Sequence, residues 1–130
     1  MRRKIELLAP ARNVSIGIEA INSGADAVYI GGPAFGARSI ATNSIEDIET
    51  LVNYAHRYGV KVYVTLNTIL YDNELKEAKR IASELAEAGV DAFIVQDLAY
   101  LKMGLPIPLH ASCELRIGLR RKPITDTTKY

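Results

Sequence analysis

Cysteine is almost absent from this chain: Cys113 is the single thiol in 130 residues. One thiol excludes an internal disulfide and any four-thiolate metal or iron–sulfur site built within one chain, and it fits a reducing cytoplasm. An excess of one charge is lacking too. The net charge is +1, so nothing global points to nucleic acid or to an anionic membrane. Long hydrophobic runs are missing. The apolar stretch behind Met1-Arg2-Arg3-Lys4 extends only from Ile5 to Ala11, with Glu6 inside it. It is too short and too polar for a signal peptide, and no segment approaches transmembrane length. Also missing are a Gly-x-Gly-x-x-Gly fingerprint after the first strand, a Ser-His-Asp set at a nucleophile elbow and a His-Glu-x-x-His metal motif.

Three copies of one short pattern are present. They read Gly24-Ala25-Asp26-Ala27-Val28-Tyr29-Ile30, Gly59-Val60-Lys61-Val62-Tyr63-Val64-Thr65 and Gly89-Val90-Asp91-Ala92-Phe93-Ile94-Val95, with glycines 35 and 30 residues apart. That spacing holds one helix, one strand and two turns. Each Gly follows a helix-like stretch, where a left-handed residue ends a helix. Each precedes a β-branched and aromatic run suited to a buried parallel strand.

A coarse reading follows from this frame. Ile5–Ala9 forms a first strand stopped by Pro10. Asn13 or Ser15 caps a helix to about Ser23, in which Gly17 costs about 1 kcal/mol relative to Ala. Ala27–Ile30 is the second strand, followed by the glycine-rich loop Gly31–Arg38. Ser44-Ile45-Glu46-Asp47 has capping-box spacing, and Ile45, Ile48, Leu51, Val52 and Ala55 form one apolar helix face. Val60–Leu66 is the third strand, and Asp72 or Asn73 caps the third helix. Ala92–Val95 is the fourth strand, Asp97–Met103 a short helix and Leu109–Ser112 a fifth strand. The fold class is therefore α/β, a partial TIM-like (β/α) barrel of about five parallel strands with intervening helices. A complete barrel takes about 250 residues, so the chain holds about half of one. Residues 1–113 form that half-barrel. Residues 114–130 are a basic polar tail, read as a truncated, frame-shifted or non-native end. From Arg116 onward the tail carries five Lys/Arg and one acid, leaving the first 115 residues with a net charge of −3.

These stretches resemble the collagenase-like U32 peptidases. The resemblance is carried by Ile5-Glu6-Leu7-Leu8-Ala9-Pro10-Ala11, Gly24–Gly32, Phe35-Gly36-Ala37-Arg38, Gly59–Thr68, Gly89–Leu98 and Leu109-His110-Ala111-Ser112, in the family's order. It implies a TIM-like barrel and a peptidase activity on peptide or protein substrates such as collagen-type chains. Other members are implicated in hydroxylating RNA bases or quinone precursors, with an iron–sulfur cluster whose cysteines would lie beyond this chain's end. No cofactor or metal site is expected within the chain itself. Arg12 stands where the family usually has Gly, and Cys113-Glu114 replaces the usual Thr-Gln.

Barrel enzymes place their sites at strand C-terminal ends. Aligning the repeats by their glycines puts Gly31, Leu66 and Gln96 at one level, and Gly32, Asn67 and Asp97 one residue further. His110 and Ser112 end the fifth strand on the same rim. The candidate catalytic residues are His110, Asp97, Gln96, Asn67 and Glu6; the candidate substrate-binding residues are Gly31, Gly32, Arg38 and Ser112. Each has a structural alternative. Asn67 can end a strand, Asp97 can cap the following helix, and His110 can be a hydrogen-bonded core residue. Glu6, read as pointing inward from the first strand, needs a partner such as Arg or a site role. Gly31-Gly32 can be a tight turn or can let backbone N–H groups approach an anion, and Arg38 can clamp a carboxylate or phosphate. His56 reads as a solvated or dipole-matched residue near a helix end. Tyr29 and Tyr63 occupy equivalent repeat positions and read as core.

The leading function is a U32-like peptidase fragment with little activity alone. One alternative is an inert half-barrel that serves binding or assembly. The other is part of an iron–sulfur hydroxylase of RNA bases or a quinone precursor, the only route by which nucleic acid enters. Two open sheet edges predict a homo-oligomer, and no membrane association is expected.

Overall fold

All three repeat glycines lie at positive φ, at 106° for Gly24, 73° for Gly59 and 104° for Gly89, and each ends a helix in the same way. In the computed structural model, which describes residues 6–33, 43–66 and 72–111, the N–H groups of Gly24, Gly59 and Gly89 reach the Ile21, His56 and Ala86 carbonyls. The next residues, Ala25, Val60 and Val90, reach back to Ala20, Ala55 and Leu85. This is the Schellman pattern, which satisfies the last helical carbonyls and turns the chain. Ala25, Val60 and Val90 are all buried, so each turn is anchored where the next strand begins.

The elements are β1 (Leu8–Ala11), α1 (Val14–Asn22), β2 (Ala27–Gly31), α2 (Ile45–Arg57), β3 (Lys61–Leu66), α3 (Leu75–Glu87), β4 (Ala92–Val95) and β5 (Leu109–Ala111). A 3₁₀ turn, Asp72–Glu74, precedes α3, and a 3₁₀ segment, Leu98–Met103, joins β4 to β5. The sheet order is β1-β2-β3-β4-β5, and every pair is parallel. Sequential order with a crossover at each step is the expected barrel-type winding.

The helix starts follow from local side chains. Asn13 Oδ1 accepts the Ile16 N–H at 2.9 Å. Ser44 Oγ accepts the Asp47 N–H at 3.0 Å, and Asp47 Oδ2 accepts the Ser44 N–H at 3.1 Å, a complete capping box. The third start differs from expectation: neither Asp72 nor Asn73 is the cap of α3. Both lie in the 3₁₀ turn, and Glu74 holds the cap position without a side-chain cap bond. Pro10 does not stop the first strand either. It pairs with Tyr29 inside β1, an edge strand, where a residue without an N–H is tolerated.

The core lies on the helix-bearing face of the sheet. Val28, Ile30, Val62, Val64, Phe93 and Val95 form one buried cluster with Ile48, Leu51, Val52, Ala55, Ile81, Ala82 and Leu85 of α2 and α3. Strand side chains alternate between faces, so Tyr29, Tyr63, Thr65, Ile94 and His110 lie on the opposite face, which no described helix covers. Tyr29 and Tyr63 are register partners, although they stand five and four residues after their glycines. They are half-buried on this open face rather than in the core. Among the described residues no helix is long and apolar enough to cross a membrane.

Candidate functional site

The strands do not start level, and this decides which residues meet. Gly31 pairs with Thr65 rather than Leu66, and Leu66 pairs with Val95 rather than Gln96. Each crossover from β2 to β4 thus advances the register by one residue relative to the glycines. One residue per strand is the stagger that tilts strands in an eight-stranded barrel of shear 8. The resulting open-face row is Gly31, Thr65, Ile94 and His110, and the row below it is Pro10, Tyr29, Tyr63 and Ala92. The level expected from glycine alignment is corrected accordingly: Leu66 turns into the core at 5% exposure.

An open cleft of about 280 Å³ lies on this face, lined by Glu6, Leu8, Tyr63, Ile94, His110 and Ala111. Tyr63 is its centre. Its hydroxyl points at Glu6 Oε2, 3.4 Å away, long for an O–H···O bond. The Tyr63 and His110 rings lie 5.9 Å apart between centroids and are tilted by 44°, within the range of aromatic pairing. Burial raises the Tyr63 phenol above its ordinary value. The Glu6 charge and hydrogen bond add to the rise, and the Asp91 charge adds further. The cleft therefore brings together a carboxylate, a phenol favoured in its neutral form and an imidazole. Two of these carry flat ring faces, so the cleft can accept or donate protons and can stack a planar group.

Two of the sequence candidates, Glu6 and His110, meet here. Glu6 precedes β1 and is exposed, so it is not the buried carboxylate expected, and its neighbour is the Tyr63 hydroxyl rather than an Arg. Gln96 and Asp97 lie at the end of β4 and do not line the cleft. Asp97 Oδ1 accepts the Ala99 N–H at 2.8 Å and caps the 3₁₀ segment. Gly31 and Gly32 lie at the end of β2. The Gly32 N–H donates to the Thr65 carbonyl at 3.0 Å. A Cβ on Gly32 would sit 3.0 Å from Leu66 Cδ2 and from Val64 Cγ1, so close packing gives glycine a structural reason there. Asn67, Arg38 and Ser112 lie outside the described residues, as does Cys113.

Two residues that matter at this end of the sheet were not singled out from sequence as site residues. Tyr63 reads as core from the sequence, because a β-branched and aromatic run suits a strand buried on both faces. Asn43 is 8% exposed, and its Nδ2 donates to the Arg12 carbonyl at 3.2 Å and the Gly31 carbonyl at 3.1 Å. One amide thus ties the ends of β1 and β2 together. The only signal for it is an amide placed directly before a capping serine. His56, read as solvated, meets Asp91 Oδ2 at 2.9 Å.

Comparison with known proteins places this geometry. The family model for peptidase family U32 matches residues 12–118. The 23S rRNA 5-hydroxycytidine C2501 synthase of Escherichia coli is 55% identical over 126 residues, covering 95% of this chain and 19% of that protein. The tRNA hydroxylation protein P1 of Bacillus subtilis is 42% identical over 96 residues, covering 73% of this chain and 23% of that protein. The chain thus spans about a fifth of the length of these curated relatives. A solved U32 peptidase, Mk0906, superposes with a TM-score of 0.61 at 14% identity, covering 86% of this chain and 50% of that one, a likeness of fold. With most of its length, residues 12–118, matched by the family model, this chain belongs to peptidase family U32.

Proposed function

We propose that this chain is the β1-to-β5 part of a barrel enzyme that hydroxylates an RNA base. The observation that carries the reading is the 55% identity, over 95% of the chain, to a protein named for making 5-hydroxycytidine in 23S rRNA. The open face supports it. An unpaired base is recognised by stacking on aromatic side chains and by hydrogen bonds to its edges. The Tyr63 and His110 rings supply flat surface, and Glu6 supplies an acceptor beside them. On this reading His110 and Tyr63 hold the base, Glu6 orients the Tyr63 hydroxyl, and the protein works in the cytoplasm, where its RNA is.

An iron–sulfur cluster does not fit the donor set of this chain. Among the described residues no three His, Cys, Asp or Glu side chains gather into a metal site, and Cys113 is the one thiol in the sequence. Thiolates for such a cluster would come from outside these 130 residues. Peptide hydrolysis, the activity in the family's name, is the second reading. The cleft supports it less, because it presents an acid, a phenol and an imidazole but no Ser, Thr or Cys nucleophile among its lining residues. The free outer edges of β1 and β5 among the described strands carry the further proposal of a homo-oligomer, tested by light scattering.

The deciding experiment is deletion of the gene that encodes this chain, followed by mass spectrometry of ribosomal and transfer RNA nucleosides. Loss of a hydroxylated nucleoside is expected, with restoration by the wild-type gene and not by His110→Ala. Unchanged RNA nucleosides together with loss of gelatin cleavage would overturn the reading in favour of proteolysis.

A further inference from the structure

We infer that the groove between α3 and the 3₁₀ segment Leu98–Met103 is a binding site for the ribose–phosphate backbone of RNA, formed by Lys76, Lys79 and Lys102. The inference rests on the RNA reading above and adds a place of contact outside the cleft.

The groove has a volume of about 490 Å³, within the range of ligand-holding clefts. Lys76 and Lys79 stand three residues apart on α3 and share one side of the helix. Lys102 faces them from the 3₁₀ segment, and all three line the groove. The chain leaves these cations without an ion pair among the described residues. On α3, Glu77 and Glu84 pair with Arg80, at 3.8 Å and 2.8 Å, and neither stands three or four residues from Lys76 or Lys79. Asp72 is the one carboxylate in the lining, so the groove keeps a surplus of positive charge. It does so against a net charge of −3 over the first 115 residues, which makes it a local feature rather than part of a general basic character.

Between the lysines the lining is apolar. Leu75, 38% exposed, lies there with Ala99 and Met103. Ammonium groups around an apolar floor match a nucleotide chain, which presents anionic phosphates beside sugar and base faces. The location agrees. The groove is flanked by the chain that enters α3 after β3 and by the segment that leaves β4, so it borders the C-terminal end of the sheet, where barrel enzymes hold their substrates. An RNA strand lying along the groove would be held by its backbone while one base turns toward the open face.

The test uses the full chain and a short fluorescein-labelled oligocytidylate RNA, with binding read by fluorescence anisotropy over a series of salt concentrations. The variant carries Lys76→Gln, Lys79→Gln and Lys102→Gln together. All three positions are exposed, and circular dichroism confirms that the variant folds. Lys61→Gln, at the opposite end of the sheet, is the control. Losing three phosphate contacts to a single strand lowers the slope of log affinity against log salt by about 2. The affinity at low salt should fall by tenfold or more, while the control keeps wild-type values. The basic segment 116–130 is present in all proteins compared, so its contribution cancels. Equal affinity and slope for the wild type and the triple variant would overturn the groove and leave the RNA reading standing. A wild-type chain that binds no RNA would overturn the groove as well, and the nucleoside analysis would then judge the hydroxylase reading separately.

Discussion

Asp26 and Asp91 hold the same place in two repeats and make the same bond. Each carboxylate accepts a backbone N–H from the neighbouring strand's start, Asp26 from Leu7 and Asp91 from Val62, both at 2.8 Å. Each residue's own N–H donates back to the same partner, at 2.9 Å in both cases. The second repeat has Lys61 at this position. These clasps lie at the N-terminal ends of the strands, the end of a barrel that serves stability rather than chemistry. Asp91 also meets His56, and two contacts of different worth can be separated. A partly buried bond between a carboxylate and a backbone N–H is worth about 1.5–3 kcal/mol. An ion pair with 43% and 29% exposed partners is worth about 0–1 kcal/mol. Asp91→Ala should therefore lower the urea midpoint clearly with an unchanged slope, Asp91→Asn should lower it less, and His56→Ala least. A larger loss for His56→Ala than for Asp91→Ala would show that the clasp is not what holds β3 to β4.

Gly17 sits inside α1, where helix propensity alone favours alanine by about 1 kcal/mol. Packing opposes it. A Cβ at Gly17 would come within 2.9 Å and 3.0 Å of the two Leu51 methyl groups, and Leu51 is fully buried, so it must shift within a packed core. Overpacking of this kind costs about 1–3 kcal/mol, so packing wins. Gly17→Ala should destabilise the chain by about 1 kcal/mol net, and combining it with Leu51→Ala should recover part of that loss. A more stable Gly17→Ala protein would mean that α1 and α2 are farther apart than described.

Asn43 is a single-amide tie between the ends of β1 and β2. Removing it leaves the Arg12 and Gly31 carbonyls without that donor. Asn43→Ala should cost about 1–3 kcal/mol, and Asn43→Asp should cost more, because it aims a negative charge at two acceptors. Hydrogen exchange should localise the change: the Gly32 amide, bound to the Thr65 carbonyl, should exchange faster in both variants. Unchanged exchange at Gly32 would remove Asn43 from the architecture of this rim.

Much of the fold is readable in the sequence, for a local reason. Helix ends, caps and strand starts are set by neighbours within a few residues. The glycines at 24, 59 and 89, the Ser44 capping box and the Asn13 cap were all legible. Non-local relations were not. Glycine alignment treats strands as level, whereas strand tilt slides each by one residue. With a side-chain period of two, a one-residue slide exchanges the faces. That is why glycine alignment puts Leu66 on the rim although it packs in the core. Of the rim candidates, His110 lines the cleft; Glu6, read as an inward-pointing residue of the first strand, lines it from the exposed stretch before β1. Asp97 took the capping role that was its structural alternative.

Tyr63 gives the cleft a measurable pH signature. Its phenol titrates above 10.0, raised by burial first and by Glu6 second. The sign follows from linkage. An acid whose folded value is raised contributes stability that is fully present below the unfolded value and is lost as pH rises through the folded value. Between 10.0 and that higher value the unfolded chain releases the proton and the folded chain keeps it, so folding weakens with increasing alkalinity. The informative quantity is the difference between variants, which isolates Tyr63 from every other group. Urea midpoints measured on both sides of pH 10 should fall less steeply for Tyr63→Phe than for wild type, with Glu6→Gln between them. In a direct titration of phenolate absorbance, the difference between wild type and Tyr63→Phe should isolate a fraction that ionises above 10.0, and that fraction should move to lower pH in Glu6→Gln. If Glu6→Gln leaves that fraction where it was, Glu6 and Tyr63 do not share the cleft, and the acid–phenol–imidazole set proposed for holding an RNA base loses its first member.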